Sequence, residues 1–495
     1  MVSSTLADYD DLPYDSVPLP QTHPNYLAAL AHLAGFAAPD PAAARILEIG
    51  CAEGGNLLPI AFYWPQTQCT GIELSRVQAA TGQALIAASG AANCRILHAD
   101  LSALPADFGE FDYIVAHGVY SWVPPAVQEA LLARCARHLA ANGVAYVSFN
   151  VLPGWGSRQA LRAELLRRAP GHDSPPARVA AARRVLEELA ADFGRSRLRS
   201  FPDLEQEIAF LLRASPAYLF HEYLAAHNAP ETFARFRERA ARNGLACLGD
   251  AGPALCARAW QEQFSSEEQF DAASGTRFRR ALLVHAAAPR RARGNVDSLA
   301  CHADLRSDEE IDLGSALPQA FFDARGIRLQ VRQPRVKAAL LVLGTIFPDS
   351  LEGAALNAAA DDLLRRYGAG RSSADAAVAA AAEWQELLAA QAVWPGAAAR
   401  SFARDIGERP RANRLARALA ARGMAVTGAR HLALDLDAAG RELLLDLDGC
   451  HDRSSLVSRM RQRLDGQGIA AEPGQVEDTV ERFLALFARN ALIVG

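Results

Sequence analysis

The chain concentrates its chemistry in one run, Arg45-Ile46-Leu47-Glu48-Ile49-Gly50-Cys51-Ala52-Glu53-Gly54-Gly55-Asn56. At Gly71-Ile72-Glu73-Leu74-Ser75 a second short apolar stretch ends in an acid. An apolar strand entering a glycine-rich turn that opens a helix presents bare loop backbone to a nucleotide-like ligand. An acid closing the next strand, about 20 residues on, presents a carboxylate to ribose hydroxyls. Glu73 stands at that place. Cys94-Arg95-Ile96-Leu97-His98-Ala99-Asp100 reads as a third strand ending in an acid, and Phe111-Asp112-Tyr113-Ile114-Val115-Ala116-His117-Gly118 as a fourth. Asn142–Asn150 reads as a turn followed by a fifth. Glu48, Gly50, Glu73, Asp100 and His117 then all fall at the carboxyl ends of strands, where ligands of open α/β sheets bind.

The spacing weighs two ligands against each other. A dinucleotide pyrophosphate needs Gly-x-Gly-x-x-Gly, whereas this loop reads Gly-Cys-Ala-Glu-Gly-Gly, with Ala52 at the second glycine. With Glu48 two residues ahead of Gly50, the pattern resembles motif I of class I S-adenosylmethionine (SAM)-dependent methyltransferases. That cofactor has no phosphate, so Ala52 is tolerated. Its ammonium and carboxylate suit an acid-ended strand and a helix N-terminus. Cys51 reads as the small residue the turn needs, not as a nucleophile.

Helical stretches Ser75–Ser89 and Pro125–Leu139 alternate with the strands, which argues for a parallel sheet covered on both faces. Leu245–Asp250 and Phe278–His285 read as two further strands, delayed by helical stretches near Ser157–Arg168, Pro175–Phe193 and Asp203–Ala214. Helices are also read at Asn25–Gly35, Ala217–Asn228 and Pro230–Asn243. The division that follows is a core over 1–155, a helical insertion over 156–215 placed as lid or substrate platform, a segment completing the sheet over 216–290, a linker over 291–330, and a mainly helical region over 331–495. In that last region helices with strand-like pieces His431–Leu436 and Leu443–Leu447 suggest winged-helix units. The fold class expected is α/β: a Rossmann-like seven-stranded sheet with a helical insertion and a winged-helix-like C-terminal region.

Composition narrows the partners. The 495 residues carry 51 basic and 56 acidic side chains, a net charge of −5, and Lys337 is the single lysine. No basic footprint exists for nucleic acid. Eight cysteines without a Cys-x-x-Cys pair give neither a zinc site nor a disulfide framework, and no metal is expected. No run of about 18 apolar residues and no basic-then-apolar leader are found, so a cytoplasmic location without a membrane partner is expected.

Four longer motifs carry a family resemblance: Pro20-Gln21-Thr22-His23-Pro24, Ala116-His117-Gly118-Val119-Tyr120-Ser121-Trp122-Val123-Pro124, Asn150-Val151-Leu152-Pro153-Gly154-Trp155 and Tyr218-Leu219-Phe220-His221-Glu222-Tyr223-Leu224. The chain resembles, over residues 10–290 and more loosely beyond, bacterial class I methyltransferases that carry a methyltransferase regulatory domain and a winged-helix-like C-terminus. That group includes the rickettsial protein lysine methyltransferases. The resemblance implies fold, cofactor and methyl transfer, with lysine as the acceptor to test first. It implies cofactor contacts from Glu48, Gly50, Cys51, Ala52, Gly54 and Asn56, from Glu73 and Leu74, from Asp100 and Leu101 beside the adenine, and from His117. Gln21 and His23 would fold back over the cofactor.

Methyl transfer is an in-line displacement in which the protein supplies alignment and a deprotonated amine, favoured in an apolar, aromatic-lined channel. Tyr120, Trp122, Phe149 and Trp155 are candidates for that channel, and Tyr120 and Trp122 are placed with His117 as catalytic. His117 is weighed as a general base against a residue that orders the loop; His221 and Glu222 are read as packing residues of the late helix. The expected partner is a protein or peptide substrate, with a small-molecule acceptor and then a non-catalytic SAM-binding scaffold as alternatives; a homodimer is compatible with the sequence.

Overall fold

The computed structural model describes residues 12, 16–169, 174–195, 202–252, 264–323, 326–368, 373–403, 405–469 and 472–494. Seven strands form one sheet: β1 (Arg45–Ile49), β2 (Gln68–Glu73), β3 (Cys94–His98), β4 (Phe111–Ala116), β5 (Leu139–Asn150), β6 (Leu245–Asp250) and β7 (Phe278–His285). Their order is β3-β2-β1-β4-β5-β7-β6. The first five run parallel, and β7 runs antiparallel to both β5 and β6. The parallel pairing expected from the strand–helix alternation holds for the first five strands, and β7 makes the seven-stranded sheet a mixed one. Its last pair comes from a chain that returns, as a hairpin-like edge, after the helical insertion.

Alternation along β1 sorts the two faces. Ile46 joins a core with α1 (Pro24–Leu33), α2 (Leu57–Tyr63) and α3 (Arg76–Ser89). Leu47 and Ile49 join the opposite core, with α4 (Pro125–His138) and the helix Phe233–Arg242. The helix ends follow local chemistry. The Ser75 hydroxyl caps α3 by accepting from Gln78 N at 3.1 Å, and Gly90 closes it at φ +74°. Asp112 ties the start of β4 to β1, accepting from Arg45 N at 2.8 Å and from its guanidinium at 2.9 Å.

The insertion packs a core of its own. Helices α5 (Gly156–Arg168), α6 (Pro175–Arg195) and α7 (Pro202–Leu211) bury Leu165, Leu186 and Leu211 with Leu219, Phe220 and Tyr223. The helix expected over Ala217–Asn228 is only one turn, Pro216–Leu219, widened through Phe220–Leu224 and then ended. Arg178 takes the Leu224 carbonyl at 2.6 Å and Arg162 takes that of Ala225, so the chain can leave the helix with its carbonyls satisfied.

The region beyond β7 is not separate from the sheet. Leu415, Leu419, Val480, Leu484 and Phe487 belong to the same apolar cluster as α1, α2 and α3. The segment 291–330, expected as linker, contributes the strand Ala300–His302, which pairs with Leu351–Glu352 and Trp394–Gly396. The last part carries helices Arg414–Ala420, Ala438–Asp446, Arg453–Gly466 and Pro473–Arg489 with small paired strands, Val426–Thr427 against Ala433–Leu434, and is the winged-helix region. Leu443–Leu447, read as strand-like, lies in helix Ala438–Asp446 and its end. An apolar run that short does not separate strand from helix; the Asp437 side chain accepting Gly440 N at 2.7 Å sets the helix start. Among the described residues no helix is long and apolar enough to cross a membrane.

Candidate active site

The turn after β1 is held open by its backbone. Gly50 (φ +70°), Ala52 (φ +49°) and Gly54 (φ +80°) all adopt left-handed conformations, so an alanine at 52 is mildly strained and must be held. Glu73 holds it. One carboxylate oxygen accepts from Ala52 N at 2.8 Å and the other from Ser75 N at 2.8 Å, which clamps the loop to the end of β2. Cys51 is buried against Gly71, where an added Cβ would lie 2.5 Å from the cysteine sulfur. Burial, with the Glu48 and Glu73 carboxylates nearby, raises its thiol well above the usual range, so Cys51 fills the turn as a small apolar residue.

Beneath the loop lies a closed polar network. The Asn56 side chain donates to Glu48 Oε1 at 2.8 Å and to Thr22 Oγ1 at 3.0 Å. Its oxygen accepts from Leu19 N at 2.9 Å and faces His431 Nε2 at 2.6 Å. Since Leu19 N–H and the Glu48 carboxyl fix the amide orientation, His431 must donate, and its Nε2 carries the hydrogen. Burial pushes His431 down to about 3, so it is neutral. Glu48, 4% exposed, is pushed up to about 8 by burial, against the help of Asn56 and with a smaller push from Glu73. Its Oε2 is buried with no partner among the described residues. A buried acid oxygen beside a loop of outward-turned backbone is a site for a cationic group on a ligand.

The other predicted positions divide. Asp100 is exposed, caps the turn after β3 through Ser102 N at 2.7 Å, and is followed by buried Leu101; Leu74 is 37% exposed. His117, at the end of β4, stacks on Tyr146 at 5.9 Å, lies edge-on to Phe278 at 5.5 Å, and meets the Tyr146 hydroxyl through Nδ1 at 3.0 Å. Burial and the Arg280 charge push it down to about 4. Trp122 is half-buried and meets Trp155 edge-to-face at 6.4 Å; Arg158 lies over the Trp155 ring at 4.9 Å.

Tyr120 and Phe149 are not on an open channel. Tyr120 is fully buried, donates to Glu231 at 2.6 Å and packs under Arg239; Phe149 stacks on Phe236 at 4.2 Å. Gln21 is half-buried in the turn Pro20–Thr22. His23 caps α1 by accepting Asn25 N at 3.1 Å, and its ring lies against Trp64 and His431, on the side of the C-terminal region. The N-terminal segment does reach the loop through Ser16, whose hydroxyl accepts Gly55 N at 2.8 Å and whose carbonyl would lie 2.2 Å from a Cβ at Gly55. Sequence reasoning missed Ser16, Thr22 and His431. Only Thr22 had a signal, its place in the Pro-Gln-Thr-His-Pro motif.

Comparisons with known proteins agree with this architecture. Residues 46–143 match the methyltransferase domain family, 215–285 the family described as a predicted methyltransferase regulatory domain, and 408–492 the PKMT C-terminal winged helix domain. The chain is 33% identical over 298 residues to the uncharacterized protein RP789 of Rickettsia prowazekii, covering 57% of this chain and 54% of that protein. It is 32% identical over 240 residues to RP028 of the same organism, covering 48% of this chain and 96% of that protein. It thus spans about half the length of the first relative and nearly all of the second. The structure of PKMT2 from Rickettsia typhi in complex with AdoHcy superposes with a TM-score of 0.83 at 24% identity, over 98% of this chain and 100% of that one. At that identity the likeness establishes the fold.

Proposed function

The chain belongs to the methyltransferase family that joins a seven-stranded core to a regulatory domain and a PKMT-type winged helix, and from that premise we propose that it is a SAM-dependent methyltransferase acting on protein side chains, with lysine the acceptor. The observation that carries the reading is the loop Gly50–Asn56, clamped by Glu73 above a buried Glu48 oxygen without a partner. The residues fit the cofactor: Glu48 for an ammonium, left-handed loop backbone for close approach, and Asp100 with Leu101 for a heterocycle at the carboxyl end of β3. When bound, the cofactor supplies an electrophilic methyl group on a sulfonium.

The protein's part is positioning and desolvation. His117, held neutral with a basicity near 4, is a poor match for taking a proton from an alkylammonium at neutral pH. It therefore acts by fixing the end of β4 against Tyr146 and β7, and the acceptor ammonium releases its proton to solvent water as it leaves water for the apolar surroundings, which favour the neutral amine. Trp122, half-buried and backed by the buried Trp155, gives that entrance an aromatic face suited to a methylated ammonium. Tyr120 belongs to the core. A protein acceptor is favoured by the winged-helix match, whose family name refers to PKMT.

Incubation with methyl-tritiated SAM and a cell extract separated into protein and small-molecule fractions tests the reading, with Glu73→Ala as control. Label recovered as methyl-lysine from the protein fraction, and absent with the variant, is expected. Label confined to small molecules would move the acceptor to a metabolite, and failure of the pure chain to bind SAM would end the proposal.

A further inference from the structure

A second cavity, of about 130 Å³, lies between α1, α2 and the C-terminal region. None of Gly50, Ala52, Glu73 or Asp100 lines it. Its cationic side is Arg400 and Arg430 with the rings of His23, His302 and His431. Arg400 lies over Trp64 at 4.4 Å and donates to Tyr63 O at 2.7 Å; among the described residues its Nε is buried without a partner. Arg430 lies over Phe402 at 5.1 Å and donates Nε to Pro348 O at 2.5 Å, but one of its terminal nitrogens is buried without a partner. Two carboxylates also line the cavity. Asp304 is engaged by Arg489 and by Arg306 at 3.4 Å, and Asp323 accepts Ile327 N at 2.8 Å. Burial lowers Arg430 to about 9, with Asp349 opposing and Arg400 adding to the shift. Among the described residues no group of three or more His, Cys, Asp or Glu could hold a metal ion. Two crowded guanidinium groups with spare buried N–H donors, backed by aromatic faces, are the chemistry that receives an oxyanion.

We propose that this junction cavity binds a small oxyanion, a carboxylate or phosphoryl group, between Arg400 and Arg430. The site is independent of the methyl-transfer reading, and its test needs no cofactor. The 495-residue chain is titrated separately with inorganic phosphate and with acetate in a buffer otherwise poor in such anions. Tryptophan fluorescence is the readout, because Trp64 and Trp394 both line the cavity, and thermal unfolding is followed alongside. Saturable one-to-one binding is expected, with the melting temperature rising with anion concentration. Response to phosphate alone assigns a phosphoryl ligand, to acetate alone a carboxylate, and to both a site that reads charge only. Arg430→Met, which keeps bulk and removes a partly unsatisfied buried charge, is expected to melt no lower than wild type without anion and to bind at least tenfold more weakly. Arg366→Met, on an exposed helix face, is expected to leave binding unchanged. No saturable response to either anion, or full-strength binding by Arg430→Met, would overturn the proposal.

Discussion

Glu48 allows the sharpest quantitative test of the site. Burial pushes its carboxyl up to about 8, which favours the protonated form at neutral pH. Pairing with a ligand ammonium requires the carboxylate. Each pH unit below 8 therefore costs about 1.4 kcal/mol, or about tenfold in affinity. Affinity for S-adenosylhomocysteine, which keeps the ammonium and does not react, should rise about tenfold from pH 6 to pH 7 and flatten towards 8. Binding near pH 6.5 should release about one proton, measurable by calorimetry in buffers of different ionisation heat. The neighbouring histidines do not obscure this window, because His23, His117 and His431 are all held well below it. Glu48→Gln should bind weakly and without pH dependence. Glu222→Gln should keep the wild-type slope, since Glu222 is raised to about 7 but lies in the widened turn Phe220–Leu224, outside the loop network. A flat wild-type profile, or a slope surviving in Glu48→Gln, would refute the assignment of Glu48 to the ammonium.

The same shift has a stability consequence of opposite sense to an ordinary paired acid. The folded-state value lies above the unfolded one, so the stabilisation is full below about 4.5 and is lost as pH rises through 8. Glu48→Gln should therefore gain on wild type in thermal unfolding as pH increases from 6 to 9.

Other residues give shorter tests. His431→Ala removes the donor to Asn56 and leaves a buried acceptor short of a partner, at about 1–3 kcal/mol; the melting temperature should fall, and affinity for S-adenosylhomocysteine should fall more than the turnover rate at saturation. Arg279→Met leaves Asp271, which it meets at 2.6 Å, buried without its cation, and takes from Asp250 a partner at 3.5 Å. Denaturant unfolding should show a loss of about 3–5 kcal/mol, partly recovered by adding Asp271→Asn. His117→Gln should lower methyl transfer without changing the shape of its pH profile between 6 and 8; disappearance of an acidic limb there would restore His117 as the base.

What the sequence made legible was local. Ser75 before an apolar-periodic run and Gly90 after it mark α3, and both do so by hydrogen bonds and dihedral angles spanning a few residues. Glu48, Gly50 and Glu73 were legible because strand–turn–helix geometry places them together whatever else the chain does. Their partners were not. Glu73 was read as a ribose ligand, and nothing in its neighbourhood signals that its oxygens also clamp Ala52 and Ser75. Tyr120 sits in the same motif as His117 and Trp122, yet an offset of two residues from Trp122 on a tight turn sends it into the core, where Glu231 and Arg239 receive it. Aromatic residue type carries no information about which side of such a turn it will face.

His431 is the extreme case. It lies 375 residues from Asn56 in sequence, in a stretch read only as strand-like, and adopts φ +59° to bring its ring to the network. A non-glycine residue in that conformation is strained, and the hydrogen bond at 2.6 Å with complete burial is what holds it there. The consequence is architectural. A winged-helix region that was merely tethered would have no reason to strain a histidine against the first loop of the core. Because the Asn56 oxygen receives both Leu19 and His431, removing the C-terminal region leaves the amide that orients Glu48 one donor short. The C-terminal region thus supports the loop proposed to hold the cofactor, and simple truncation would disturb that loop together with any other role of the region. Substitution of His431 alone separates them, since it disturbs the loop and leaves the winged-helix surface in place.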